Sequence, residues 1–107
     1  MQITLKKYTL QLAHTFTISR ESRDEQDTLI VCLSLDGKTG YGEATSNPYY
    51  KITIEGMMAE IEAVRNQIEG YTFDTPENFY EHLESLNLHK FTLCALDLAA
   101  NDLYGKL

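Results

Sequence analysis

The chain has 107 residues, 43% apolar and 23% charged, enough for one domain with its own core. Nine Lys and Arg against sixteen Asp and Glu leave a formal charge of −7, and so acidic a chain repels phosphate backbones, which argues against a nucleic-acid partner. No run of about 18 apolar residues is present, so no membrane span is expected. The N-terminus lacks the apolar block and small-residue cleavage site of a signal peptide, which leaves the cytoplasm as the expected location.

The first half reads as strands. In MQITLKKYTLQL, Ile3 and Leu5 alternate with polar neighbours, and so do Leu10 and Leu12, but the two sets differ in parity. A β-bulge at Lys6-Lys7 would restore one buried face, and one is expected there. In DTLIVCLSLDG, Leu29, Val31, Leu33 and Leu35 point one way and Thr28, Ile30, Cys32 and Ser34 the other. Asp36-Gly37 follows at once and predicts a two-residue type I′ hairpin, which needs positive φ at both central positions. KTGYGEA is then the return strand of a three-stranded antiparallel meander.

The second half reads as helices. From about Thr53, apolar residues fall at Ile54, Met57, Met58, Ile61, Val64 and Ile68, and Gly70 suits the stop. Thr75 can cap the next helix, with Pro76 at its first position, where a missing N–H costs nothing. Phe79, Tyr80, Leu83 and Leu86 give it an apolar face, and Asn87 is expected to end it. The third helix, FTLCALDLAANDLYGKL, is apolar on two sides. Phe91, Cys94, Ala95, Leu98 and Ala99 lie on one side, and Leu93, Leu96, Ala100, Leu103 and Leu107 on the other. Four leucines left in water on the second side would each forgo about 1.5–3 kcal/mol of burial. That sum rivals a small domain's net stability of about 5–15 kcal/mol. The expectation is that something outside the sequence covers that side. Strands first and helices after predict an α+β fold.

Few segments carry chemistry by themselves. GYGEA fails as a dinucleotide cradle, because the third glycine would fall at Thr45 and no helix opens there. Its glycines instead let another backbone or a packed ring approach closely. TFTISRESRDEQD (15–27) is too long for a tight hairpin. Arg20 and Arg23 could clamp a carboxylate there, against the bland reading of solvated arginines paired with Glu21 or Asp24. In SNPYYK (46–51), Tyr49 and Tyr50 could line an apolar pocket or simply cover the next helix start. Cys32 and Cys94 are read as buried free thiols, and the scattered histidines (His14, His82, His89) suggest no metal site. The helix carboxylates read as a solvated face. No nucleophile–base set stands out.

The order of the pieces is more informative. A meander with an Asp-Gly hairpin and a GxGEA strand, an aromatic loop, and helices ending in A-x-D-x-A-x-x-D-L-x-G-K follow one another. The last motif is carried by Ala95, Asp97, Ala99, Asp102, Leu103, Gly105 and Lys106, and Thr15-Phe16-Thr17-Ile18 opens the first loop. That succession resembles the N-terminal capping domain of the enolase superfamily, in its muconate-cycloisomerase and mandelate-racemase branch. It looks most like the dipeptide epimerases (L-Ala-D/L-Glu epimerase and relatives). The resemblance covers residues 1–107 as one capping domain, with helix 90–107 leading toward a barrel that is missing from this sequence. It implies Mg²⁺, held by carboxylates of that barrel, and proton abstraction α to a carboxylate, with no catalytic or metal-binding residue in the 107 residues and no activity for them alone.

Phe16, Ile18, Tyr49 and Tyr50 would shape the pocket wall, and Arg20 or Arg23 would meet a charged group of a small carboxylate or dipeptide. A cycloisomerase or o-succinylbenzoate synthase cap would look alike. A free-standing α+β module that forms a homo-oligomer through helix 90–107 is the reading of a different class. Asn101 stands where many relatives carry Trp, a departure that concerns packing.

Overall fold

In the computed structural model, residues 1–11, 25–46 and 52–107 are described. Strands β1 (Gln2–Gln11), β2 (Glu25–Leu35) and β3 (Lys38–Thr45) form an antiparallel sheet in the order β1-β2-β3. Helices α1 (Ile54–Glu69), α2 (Pro76–Glu84) and α3 (Lys90–Lys106) follow. This is the α+β meander-then-helices fold expected from the sequence. Asp36 and Gly37 both have positive φ, 52° and 76°, as a type I′ turn demands. Thr53 and Thr75 cap α1 and α2 by accepting the N–H groups of Gly56 and Asn78.

The helices cover one face of the sheet. Leu29, Val31 and Leu33 are fully buried there with Met57, Ile61, Ile68, Phe79, Leu83, Leu96 and Leu103. Phe79 is the largest of them, and the Phe73 ring meets it edge-on at 5.5 Å.

Several expectations differ from what the fold adopts. No bulge interrupts β1: its register with β2 runs unbroken from Gln2↔Ser34 to Gln11↔Glu25. The helix-facing row continues instead through Lys7, whose ammonium meets Glu55 at the start of α1. The loop read as 15–27 is also shorter, since Glu25, Gln26 and Asp27 already pair with Gln11, Leu10 and Thr9. α2 stops at Glu84, and Asn87 adopts φ 58° beyond it, so Leu86 packs from outside the helix. Tyr80 is exposed.

α3 departs furthest from the expected burial. Leu96, Ala100 and Leu103, assigned to the uncovered side, are fully buried by this chain's own elements, and Leu93 is half-buried. The apolar and aromatic side chains of α3 left in solvent are Cys94, Leu98 and Tyr104, each of the last two at 49%, and Leu107 at 52%, with Tyr41 of β3 at 53%. The cause lies in GYGEA. Gly40 and Gly42 face α3, and a Cβ built on them would sit 2.2 Å from the Ala99 carbonyl oxygen and 1.9 Å from that of Ala95. The helix backbone thus rests directly on β3 along Ala95 and Ala99. That contact fixes its rotation, carrying Leu96 and Leu103 into the core and turning Cys94 outward. Of the two thiols read as buried, only Cys32 is.

Candidate functional site

Both chain segments that carry the expected site residues leave from the same end of the sheet. β1 ends at Gln11 opposite Glu25, and β3 ends at Thr45 opposite Thr28. The long first connection and the connection from β3 to α1 therefore start at that one end, from strands on either side of β2, because the short Asp36-Gly37 hairpin occupies the other end. Ser46 N–H donates to the Asp27 carbonyl at 3.5 Å, tying β3's exit to β2. Phe16, Ile18, Arg20 and Arg23 fall in 12–24, and Tyr49 and Tyr50 in 47–51, all outside the described residues.

What surrounds that end is described. A shallow cavity of about 200 Å³ is lined by Glu43, Ala44, Thr45, Phe91 and Cys94. Thr28 is buried between its strand partners Tyr8 and Thr45, and among the described residues no partner reaches its hydroxyl. A second depression of about 410 Å³ lies between α2 and α3, with Glu77, Tyr80, Glu81, Glu84 and Asp97 in its wall. Among the described residues no group of three or more His, Cys, Asp or Glu side chains could hold a metal ion.

The described histidines serve the fold. His82 Nε2 donates to the Gln67 carbonyl at 2.9 Å, and its ring stacks on Tyr71 with centroids 4.5 Å apart. His89 caps α3 by accepting the Phe91 N–H at its Nδ1. Nor are the carboxylates of α1 an idle solvated face. Glu60 takes the His89 N–H at 2.7 Å and the Thr92 hydroxyl at 2.9 Å, so a negative charge from α1 closes the N-terminus of α3, where the helix dipole favours it. A face-by-face reading of α1 could not find this, because the partners lie 29 and 32 residues away.

The charged groups titrate in opposing senses. Hydrogen bonds hold four carboxyls below the ordinary range: to Lys7 for Glu55, to Arg65 for Glu62, to the Thr75 N–H for Asp74, and to Lys106 for Asp102. Each adds stability above an ordinary carboxyl pKa of about 4, and that contribution disappears as pH falls through the lowered value. Asp97 runs the other way. Burial between α2 and α3 raises it first and the charge of Glu77 further, against the Asn101 amide that bonds it. Its contribution is present below pH about 4 and is lost as pH rises through the raised value. Asp97→Asn is therefore expected to raise the urea midpoint at pH 7, with the gain shrinking toward pH 4. An equal gain at both pH values would show that charge is not the cause.

No family model matches the chain. In sequence it is 68% identical, over all 107 residues, to an L-Ala-D/L-amino acid epimerase of Maribacter sp.. It is 51% identical, over 99% of its length, to an L-Ala-D/L-amino acid epimerase of Flavobacterium johnsoniae. In fold it is similar to an enolase family member from Agrobacterium tumefaciens with homology to dipeptide epimerases, a structure with bound sodium and L-Ala-L-Glu. That match has a TM-score of 0.80 and 27% identity, over 97% of this chain and 30% of the other. The fold is thus that of an enolase-superfamily N-terminal domain. Within that superfamily, the relatives this chain resembles in sequence are dipeptide epimerases. The chain spans about a third of the length of the curated relatives it matches. Among the described residues no helix is long and apolar enough to cross a membrane.

Proposed function

We propose that this chain is the specificity domain of a cytoplasmic dipeptide epimerase, acting within a longer polypeptide whose barrel domain carries the chemistry. The observation that carries the reading is the common departure of both long connections from one end of the sheet, in a chain 68% identical to an epimerase. Two connections that leave one end of a rigid sheet can close together over a neighbouring catalytic centre, exclude water and orient a dipeptide. In this reading Phe16, Ile18, Tyr49 and Tyr50 form the apolar wall. Arg20 or Arg23 receives a carboxylate of the dipeptide, for which a guanidinium's planar fork of donors is suited. Proton abstraction α to the carboxylate, with Mg²⁺ stabilising the enediolate, belongs to the barrel. None of the described residues is offered as a ligand, and the 107 residues alone are expected to be inactive.

The test is a domain exchange. This chain replaces the matching N-terminal segment of the Flavobacterium johnsoniae epimerase, and the hybrid is assayed on a panel of L-Ala-L-Xaa dipeptides. The hybrid is expected to epimerise dipeptides. Arg20→Ala or Arg23→Ala is expected to lower kcat/KM for acidic partners by about tenfold or more, as loss of a charge-assisted hydrogen bond of about 1.5–3 kcal/mol gives. A folded hybrid with no dipeptide epimerase activity would count against the function. Unchanged profiles in both variants would remove the arginines from the site.

A further inference from the structure

Among the described residues the sheet has three strands and so two edges, each a row of backbone N–H and C=O groups that can pair with another chain. Here both edge strands are long, 10 residues in β1 and 8 in β3, against the usual 5–6. Each edge is met by a helix that presents an acid and a base four residues apart. On β1, the Ile3 N–H donates to Glu69 Oε2 at 2.9 Å, and Arg65 Nη1 donates to the Ile3 carbonyl at 2.7 Å. Arg65 and Glu69 also bond each other at 3.1 Å. On β3, the Tyr41 N–H donates to Asp102 Oδ2 at 2.9 Å, and Lys106 Nζ donates to the Thr39 carbonyl at 2.9 Å. Asp102 and Lys106 bond each other at 2.9 Å, and the ammonium sits 4.8 Å from the Tyr41 ring centre.

The two arrangements share one logic. The carboxylate takes the N–H that a neighbouring strand would accept, the cation serves the C=O that it would donate to, and each cancels the other's charge. Both pairs are partly exposed, and exposed ion pairs contribute little to folding stability. Their placement on the outward backbone groups of both edge strands is what needs a reason.

We infer that α1 and α3 act as surrogate edge strands, closing the sheet to strand addition, so that a partner of this domain, a second copy included, meets helices or sheet faces and not a sheet edge.

The test compares the 107-residue chain with Asp102→Ala/Lys106→Ala by sedimentation over a range of concentrations and by amide I infrared absorption. The double variant is expected to self-associate more than the parent chain and to gain an intermolecular strand band. Adding Tyr41→Pro, which removes the outward donor at a position where an edge strand tolerates proline, is expected to abolish both. A folded double variant that sediments like the parent would overturn the inference, as would association that survives Tyr41→Pro. Should the double variant not fold, amide exchange in the unmodified chain decides. The Ile3 and Tyr41 amides are expected to be protected like those of central β2, and exchange at the rate of an open edge would overturn the inference.

Discussion

Gly42→Val is expected to keep α3 from docking and to destabilise the 107-residue chain by about 3 kcal/mol or more, the upper end of overpacking costs. Even a methyl group at this position would lie 1.9 Å from the Ala95 carbonyl oxygen, 2.9 Å from the Ala99 nitrogen and 3.0 Å from the Ala95 carbonyl carbon. All three are backbone atoms of a helix, so no side-chain rotation relieves the clash. The sheet and helix must separate, and Ala95, Ala99 and Leu103, now fully buried, lose their contacts together. A stability of about 5–15 kcal/mol leaves little margin for such a loss. Urea unfolding followed by far-UV circular dichroism measures it. A Gly42→Val chain within about 1 kcal/mol of the parent, the ordinary size of a point-mutation effect, would mean that α3 does not rest on β3 as described. Tyr41→Val, one residue away on the exposed face, is the matched control.

Leu103→Ala is expected to cost about 2–5 kcal/mol in the same 107-residue chain, and Leu98→Ala no more than about 0.5 kcal/mol. The contrast separates two accounts of one helix. Leu103 is fully buried between β3 and the other helices, so its removal leaves a cavity. Leu98, five residues earlier, is 49% exposed and leaves none. If the side carrying Leu96 and Leu103 were waiting for a neighbour, as its composition alone suggests, Leu103→Ala would be nearly silent in the isolated chain. Equal small effects at both positions would restore that account. The α3 surface that a further domain could cover is instead the one around the exposed Cys94 and Leu98.

For the candidate site, the order of elements sufficed to bring the two connections to one end. A tight hairpin at Asp36-Gly37 forces the other turns of a meander to the opposite end. The register then adds detail that periodicity misses, since Glu25–Asp27 are strand although they are polar enough to read as loop. β-strand pairing depends on the partner across the ladder, and no local pattern encodes it. The structural carboxylates were hidden for a similar reason. Glu60, Glu69 and Asp102 sit at exposed or half-exposed helix positions, which any sequence rule assigns to solvent, yet each satisfies backbone groups 29 to 66 residues away.

The elements, their order, the Asp-Gly turn, the threonine caps and the core face of β2 are all written in the local sequence. Each of these follows from a local requirement: a side-chain period of 2 or 3.6, a positive φ, or an orphan N–H close by. Which side of α3 is buried, and how the sheet edges are met, emerges only when the elements pack. A helix apolar on two sides has no preferred rotation of its own, so the choice passed to the notch left by Gly40 and Gly42. Steric contact with the Ala95 and Ala99 backbone made that choice, and it also set Asp102 and Lys106 against the edge of β3.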